Sequence, residues 1–315
     1  MQEGQSKGEI RKGVAPVGAT YEIALGDQRA IVTESGAALR VYEVGFTPVV
    51  EPFEGPESVV IGSQGQILAP WPNRTVDGRW SWEGADYQLW ITEPARGHAI
   101  HGLVRTLSWA VRNRDEQGVE LETTLLAHPG WPFPLHFVVS YELGDRGLTS
   151  RLTATNIGRT ACPYGAATHP YVALPEGTVD EAVVRLPART YLVTDDRLVP
   201  TERGATAGTP YEFSEAAPVG QRRADTAFTD LERRPDGRVE ASVTAPDGRT
   251  TTLWGDAAVR WLQLFTGDAL PSKWRRRTLA LEPMTCAPNA LNSGDDLVVL
   301  QPGESHAMTW GLSLA

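Results

Sequence analysis

The sequence predicts an all-β protein, a large single-domain antiparallel β-sandwich, and three observations carry that expectation. Short segments alternate apolar and polar residues at period two, turn signals rich in Gly, Pro, Asn and Asp separate them at the spacing of sandwich strands, and no window shows a sustained helical stripe with caps. A length of 315 residues sets a soft prior of about two domains, but all-β chains often fold as one domain of this size. Residues 19–315 are therefore read as one domain, and residues 1–18, rich in Gly, Lys, Glu and Gln, as a flexible N-terminal arm.

In chain order, Tyr21 to Leu25, Ala30 to Glu34 and Ala38 to Val44 read as strands broken by turns at Gly26-Asp27 and Ser35-Gly36. Gly62 to Arg74 reads as a loop ending in Ala69-Pro70-Trp71-Pro72-Asn73-Arg74. Two prolines fix the backbone around Trp71, and Arg74 just beyond offers a planar fork of donors. Asp77-Gly78, between Arg74-Thr75-Val76 and Arg79-Trp80-Ser81-Trp82, is a hairpin signal, repeated by Asp236-Gly237 and Asp247-Gly248. Val119 to Leu126, Phe137 to Leu143 and Leu148 to Thr155 alternate in the same manner. Thr201 to Ala224, punctuated by Gly, Pro and Ala, reads as a long surface loop, and no solenoid or propeller period is present.

Composition narrows the partners. A net charge of -10 and a pI near 5.2 argue against nucleic acid or an anionic membrane surface, each of which favours a basic face. The first residues lack an apolar core of the signal-peptide kind, and no stretch approaches the roughly 20 apolar residues of a membrane span, so a soluble cytoplasmic protein is expected. Two cysteines, Cys162 and Cys286, stand far apart with no CxxC spacing; free, buried packing thiols suit a reducing compartment.

The chemistry centres on Leu281-Glu282-Pro283. Glu282 ends an apolar segment, and the proline after it favours an extended backbone. A carboxylate buried there has its pKa raised toward neutrality, as a general base working near pH 7 requires. His169, in Thr168-His169-Pro170-Tyr171, is held extended in the same way and can serve as an acid. His98 and His101 are spaced i, i+3, but Gly97 and Gly102 mark a loop and no cysteine or carboxylate lies at short ligand spacing. No metal site is expected there.

Taken in order, Asn73-Arg74, His101-Gly102, Gly130-Trp131-Pro132-Phe133-Pro134, Asn156, His169-Pro170-Tyr171, Asp225 and Leu281-Glu282-Pro283 with Asn289-Ala290 resemble the aldose 1-epimerase (mutarotase) family. The resemblance runs from about Tyr21 to the end of the chain and implies a β-sandwich of the galactose mutarotase type. It implies Glu282 as general base, His169 as general acid, and Arg74, His101 and Asp225 as groups that hold sugar hydroxyls, with Asn73 beside them. The pattern departs from the family at Leu103, where a second glycine is common, and at Thr168, where a second histidine is common.

The implied reaction opens a pyranose. A base takes the anomeric hydroxyl proton, an acid protonates the ring oxygen, and the ring recloses on the other face of the carbonyl. No metal or redox cofactor is required, and the expected partner is a free hexose of the glucose or galactose type, bound by a monomer or homodimer. Among ten tryptophans, Trp71 between its prolines is expected to offer a flat apolar face to the sugar. Lys273-Trp274-Arg275-Arg276-Arg277 motivates a hexose 6-phosphate as the alternative substrate. Glycoside hydrolysis with Asp225 and Glu282 as the carboxylate pair would leave His169 without a task. A non-catalytic sugar-binding protein would be expected to lack the acid or the base.

Overall fold

The computed structural model describes residues 13–175 and 177–315. Two large antiparallel sheets dominate. The first has nine strands, running in space from Ala110–Arg114 through Gly118–Leu125, Leu135–Gly144, Gly147–Asn156 and Ser305–Leu314 to Thr250–Gly255, Val239–Thr244, Val183–Arg185 and Ala217–Pro218. In its long central strand Leu135, Phe137, Val139, Tyr141 and Leu143 are buried while the residues between them are not, which is the period-two signal realised. The second sheet has eight strands, and its middle contains Asp225–Leu231, Trp261–Phe265, Thr278–Met284 and Ala167–Thr168 in that order. Inner faces of both sheets, together with the four-stranded N-terminal sheet, feed one apolar core that includes Val32, Phe137, Leu152, Leu264 and Leu281. The only α-helix among the described residues is the four-residue Ala290–Ser293, and no helix is long and apolar enough to cross a membrane.

Several sequence expectations need correction. Asp77-Gly78 does adopt positive φ at both residues, 54° and 64°, but the flanking strands do not pair with each other. Arg74–Thr75 pairs with Ala99–Ile100, and Arg79–Trp82 turns back at Glu83-Gly84 to pair with Ala85–Gln88. Asp236-Gly237 carries the chain from one large sheet to the other, whereas Asp247-Gly248 closes a true hairpin between Val239–Thr244 and Thr250–Gly255. A turn dipeptide fixes local direction; which strands pair depends on partners far away in sequence.

The stretch from Thr201 to Ala224 is not a surface loop throughout. It contributes the strand Pro200–Ala205 and the two-residue strand Ala217–Pro218, and it buries Phe213 and Val219. Residues 1–12 of the expected arm lie outside the described residues, but Val17 is buried and its carbonyl accepts a bond from Ser35, so the end of that segment belongs to the fold.

Candidate active site

The strand Thr278–Met284 is buried at every position, because it has neighbours on both edges and packed layers on both faces. On one edge it pairs with Trp261–Phe265, which sets Gln263 opposite Glu282. On the other edge, Tyr171 pairs with Ala280 and Ala167 with Met284, and the same register brings His169 level with Glu282. The interval between these two pairings is occupied by His169-Pro170. Pro283 lacks an N–H to donate, so the interrupted ladder is where a proline fits in an otherwise central strand.

His169 Nε2 consequently stands 3.4 Å from Glu282 Oε1, with both side chains almost fully enclosed. The His169 ring stacks on Tyr171 with centroids 4.8 Å apart, and His101 meets it edge-on at 5.4 Å. Glu282 Oε2 and His169 Nδ1 have no partner among the described residues.

Arg74 is fixed by the fork its planar group allows. Its Nε and one terminal nitrogen donate to the two oxygens of Glu93 at 2.8 and 3.0 Å, and that same nitrogen reaches Asp225 Oδ2 at 3.4 Å. Gln263 Nε2 donates to the other Asp225 oxygen at 2.7 Å. Asn73 accepts a bond from the Arg74 backbone at 2.9 Å and has a left-handed φ of 52°. His101 also sits at positive φ, 63°, uncommon for a residue with a side chain, and its backbone N–H is tied to the Asn73 carbonyl at 2.9 Å. Glycine follows because a Cβ at Gly102 would lie 2.1 Å from the Ala69 carbonyl oxygen. The histidine-glycine pair is thus a backbone device that turns the imidazole inward.

These groups surround a cavity of about 390 Å³ that includes Asn73, Arg74, His101, His169, Asp225 and Glu282 in its lining. That volume lies toward the small end of ligand pockets, which span about 300 to 1,000 Å³. Burial raises the Glu282 pKa well above its ordinary value, with the Asp225 charge acting in the same direction and Arg74 opposing it. Burial lowers His169 to about 3, and the Arg105 cation pushes the same way. His101 keeps some exposure as a residue, yet its Nδ1 is enclosed, and desolvation together with His169 holds it well below the usual imidazole value. Both shifts favour the neutral forms of the pair, carboxylic acid and neutral imidazole.

Six of the seven site residues expected from sequence meet at this cavity. Trp71 does not: only 3% exposed, it packs on Trp131 at 5.7 Å in the core, so its flat face is already used. The basic run is also elsewhere. Lys273 pairs with Glu54, Arg276 with Asp180 and Asp268, Trp274 packs on Phe53, and none of the run lines the cavity. His98 is buried in a structural role, accepting from the Asp77 backbone through Nδ1 and bonding the Arg197 carbonyl through Nε2. No group of three or more His, Cys, Asp or Glu suited to a metal occurs among the described residues. Both cysteines are free and buried.

Sequence reading missed Glu93, Arg96, Arg105 and Gln263. Glu93 precedes a proline, as Glu282 does, and that shared pattern was the available signal. Nothing local distinguishes Gln263, which reaches the site through its register with Glu282.

The family model described as aldose 1-epimerase matches residues 20–313. The uncharacterised protein YihR of Escherichia coli is 32% identical over 297 residues, covering 94% of this chain and 93% of its own length. Two crystal structures share the fold. An aldose epimerase homologue from C. elegans superposes with a TM-score of 0.84 at 18% identity, over 94% of this chain and 98% of its own. A putative aldose 1-epimerase from Escherichia coli gives 0.81 at 22% identity, over 94% and 99%.

Proposed function

Because the chain belongs to the aldose 1-epimerase family and is an isomerase of that kind, we propose that it interconverts the α and β anomers of a hexose of the glucose or galactose type whose C1 hydroxyl is free. The observation that carries the mechanism is the 3.4 Å approach of His169 Nε2 to Glu282 Oε1 at the wall of a cavity of monosaccharide size.

Glu282 is the base that accepts the anomeric hydroxyl proton, and His169 is the acid that protonates the ring oxygen. Their resting state, carboxylic acid and neutral imidazole, has the same proton count as the reactive state, carboxylate and imidazolium. Passage between the two needs only an internal proton transfer, with no uptake from solvent. Arg74, whose charge favours ionised Glu282, helps make the reactive form accessible. At ring closure the protons retrace their path and the two groups exchange roles. Arg74, His101, Asp225 and Asn73 hold the remaining hydroxyls, and the enclosed walls strengthen each of these polar contacts.

Hydrolysis of a glycoside receives less support from the geometry. Asp225, the second carboxylate it would employ, has its oxygens engaged by Gln263 and Arg74. The test is a polarimetric screen of freshly dissolved single-anomer hexoses. Mutarotation faster than the buffer background is expected; sugar binding with no rate above that background would make the protein a binder rather than a catalyst.

A further inference from the structure

We propose that the hexose carries an oxyanion on the substituent at C5, and that Arg105 is the residue that binds it. This rests on the epimerase reading above and names the substrate class of the same site.

Arg105 lies in the short turn Val104–Thr106, and its backbone is pinned. Its carbonyl accepts a bond from Gln66 Nε2 at 2.8 Å, and Gly36 packs so closely that a Cβ there would stand 2.5 Å from the same oxygen. The side chain lines the cavity. Its Nε is enclosed and has no partner among the described residues.

The other arginines of the cavity wall, and the buried Arg40, are satisfied. Arg74 is held by Glu93 and Asp225, and Arg96 by Glu93. Arg40 is buried without a carboxylate, but it donates to Gln64 Oε1 and to the carbonyls of Ser58 and Gly55. Arg105 does none of this. It remains a cation at any physiological pH, so its partial desolvation is a cost that an incoming anion would offset. Of the three guanidinium groups on the cavity wall, Arg74 and Arg96 are paired with Glu93 and Asp225, and Arg105 is not. A neutral hexose leaves the Arg105 charge unanswered.

The position of the anion on the sugar follows from the chemistry. The reaction needs a free C1 hydroxyl, and the ring hydroxyls are assigned to Arg74, His101, Asp225 and Asn73, all of which line the cavity with Arg105. With Glu282 at the C1 hydroxyl and His169 at the ring oxygen, the next ring atom past that oxygen is C5. Its exocyclic substituent is the position left for Arg105 to bind. A carboxylate, a phosphate ester or a sulfate there shares the chemistry a guanidinium recognises. This moves the anion-binding role away from Lys273 to Arg277, whose charges are either paired or off the cavity.

Calorimetric binding to the full chain provides the test, with glucose and galactose compared against their uronates, 6-phosphates and 6-sulfates. At least one charged series should bind about 10- to 100-fold more tightly than the neutral sugars, the worth of one charge-assisted contact. Arg105→Gln should collapse that ratio, and Arg105→Lys should restore part of it. Equal binding of neutral and charged hexoses by the wild-type protein would overturn the proposal whether or not the variants fold, and so would a ratio that survives in folded Arg105→Gln. Anomer exchange on the same sugars reads the epimerase assignment separately. Charged-sugar preference without exchange keeps the anion site and removes the catalyst; exchange of neutral sugars without charge preference removes the anion site alone.

Discussion

His169 and Glu282 belong to segments more than a hundred residues apart in the chain, yet the strand register sets them level and leaves Nε2 and Oε1 3.4 Å apart. Replacing the carboxylate by an amide of the same size tests what that contact does. Glu282→Gln can still hydrogen-bond the anomeric hydroxyl but cannot take its proton. Turnover is expected to fall by a factor of about 10² to 10⁴ while sugar affinity changes little. Near wild-type turnover in a folded Glu282→Gln protein would falsify the base assignment.

The pH profile should be a broad plateau. The pair gains a second proton only as pH approaches the depressed His169 value of about 3, and loses its single proton only above the raised Glu282 value. The acidic limb of kcat/KM should therefore fall well below 6.5, the ordinary imidazole value, and the alkaline limb well above 4.5, the ordinary carboxyl value. A narrow bell bounded by those ordinary values would show that the two groups titrate independently.

The depressed His169 value, taken alone, makes stability fall in acid, and the raised Glu282 value acts in the opposite sense. A histidine whose folded pKa is depressed binds fewer protons folded than unfolded, so stability is full above the unfolded pKa of 6.5 and declines as pH drops toward about 3. The slope for one such group is about 1.4 kcal/mol per pH unit. His169→Asn removes that contribution, so the unfolding free energy of the wild type relative to the variant should drop by about 1.4 kcal/mol per pH unit as pH falls from about 6 to about 4. An unchanged slope in the variant would place the acid sensitivity elsewhere.

Trp71 supplies a contrasting prediction, because it packs against Trp131 and not against the cavity. Trp71→Ala should cost about 3 to 5 kcal/mol of unfolding free energy, the usual range for emptying a buried aromatic site. The KM of whatever protein remains folded should change little. A large rise in KM with little loss of stability would return Trp71 to the sugar.

The features legible in the sequence are those written in local patterns. Alternation along Leu135–Gly144 and Gly147–Asn156 announces half-buried strands, and Pro170 and Pro283 hold His169 and Glu282 extended. The order of short motifs along the chain identifies the family. What only the tertiary structure decided depends on which strands become neighbours. Gln263 enters the site through its pairing with Glu282, Trp71 is withdrawn from it by Trp131, and Asp77-Gly78 turns the chain without closing a hairpin. The protonation of the central pair belongs here too, since desolvation and the charges of Asp225, Arg74 and Arg105 set it, and none of these is close in sequence to the group it acts on. Residue type and spacing fix local backbone geometry through sterics, whereas burial and Coulomb interactions depend on distance in space, which a sequence specifies only once it has folded.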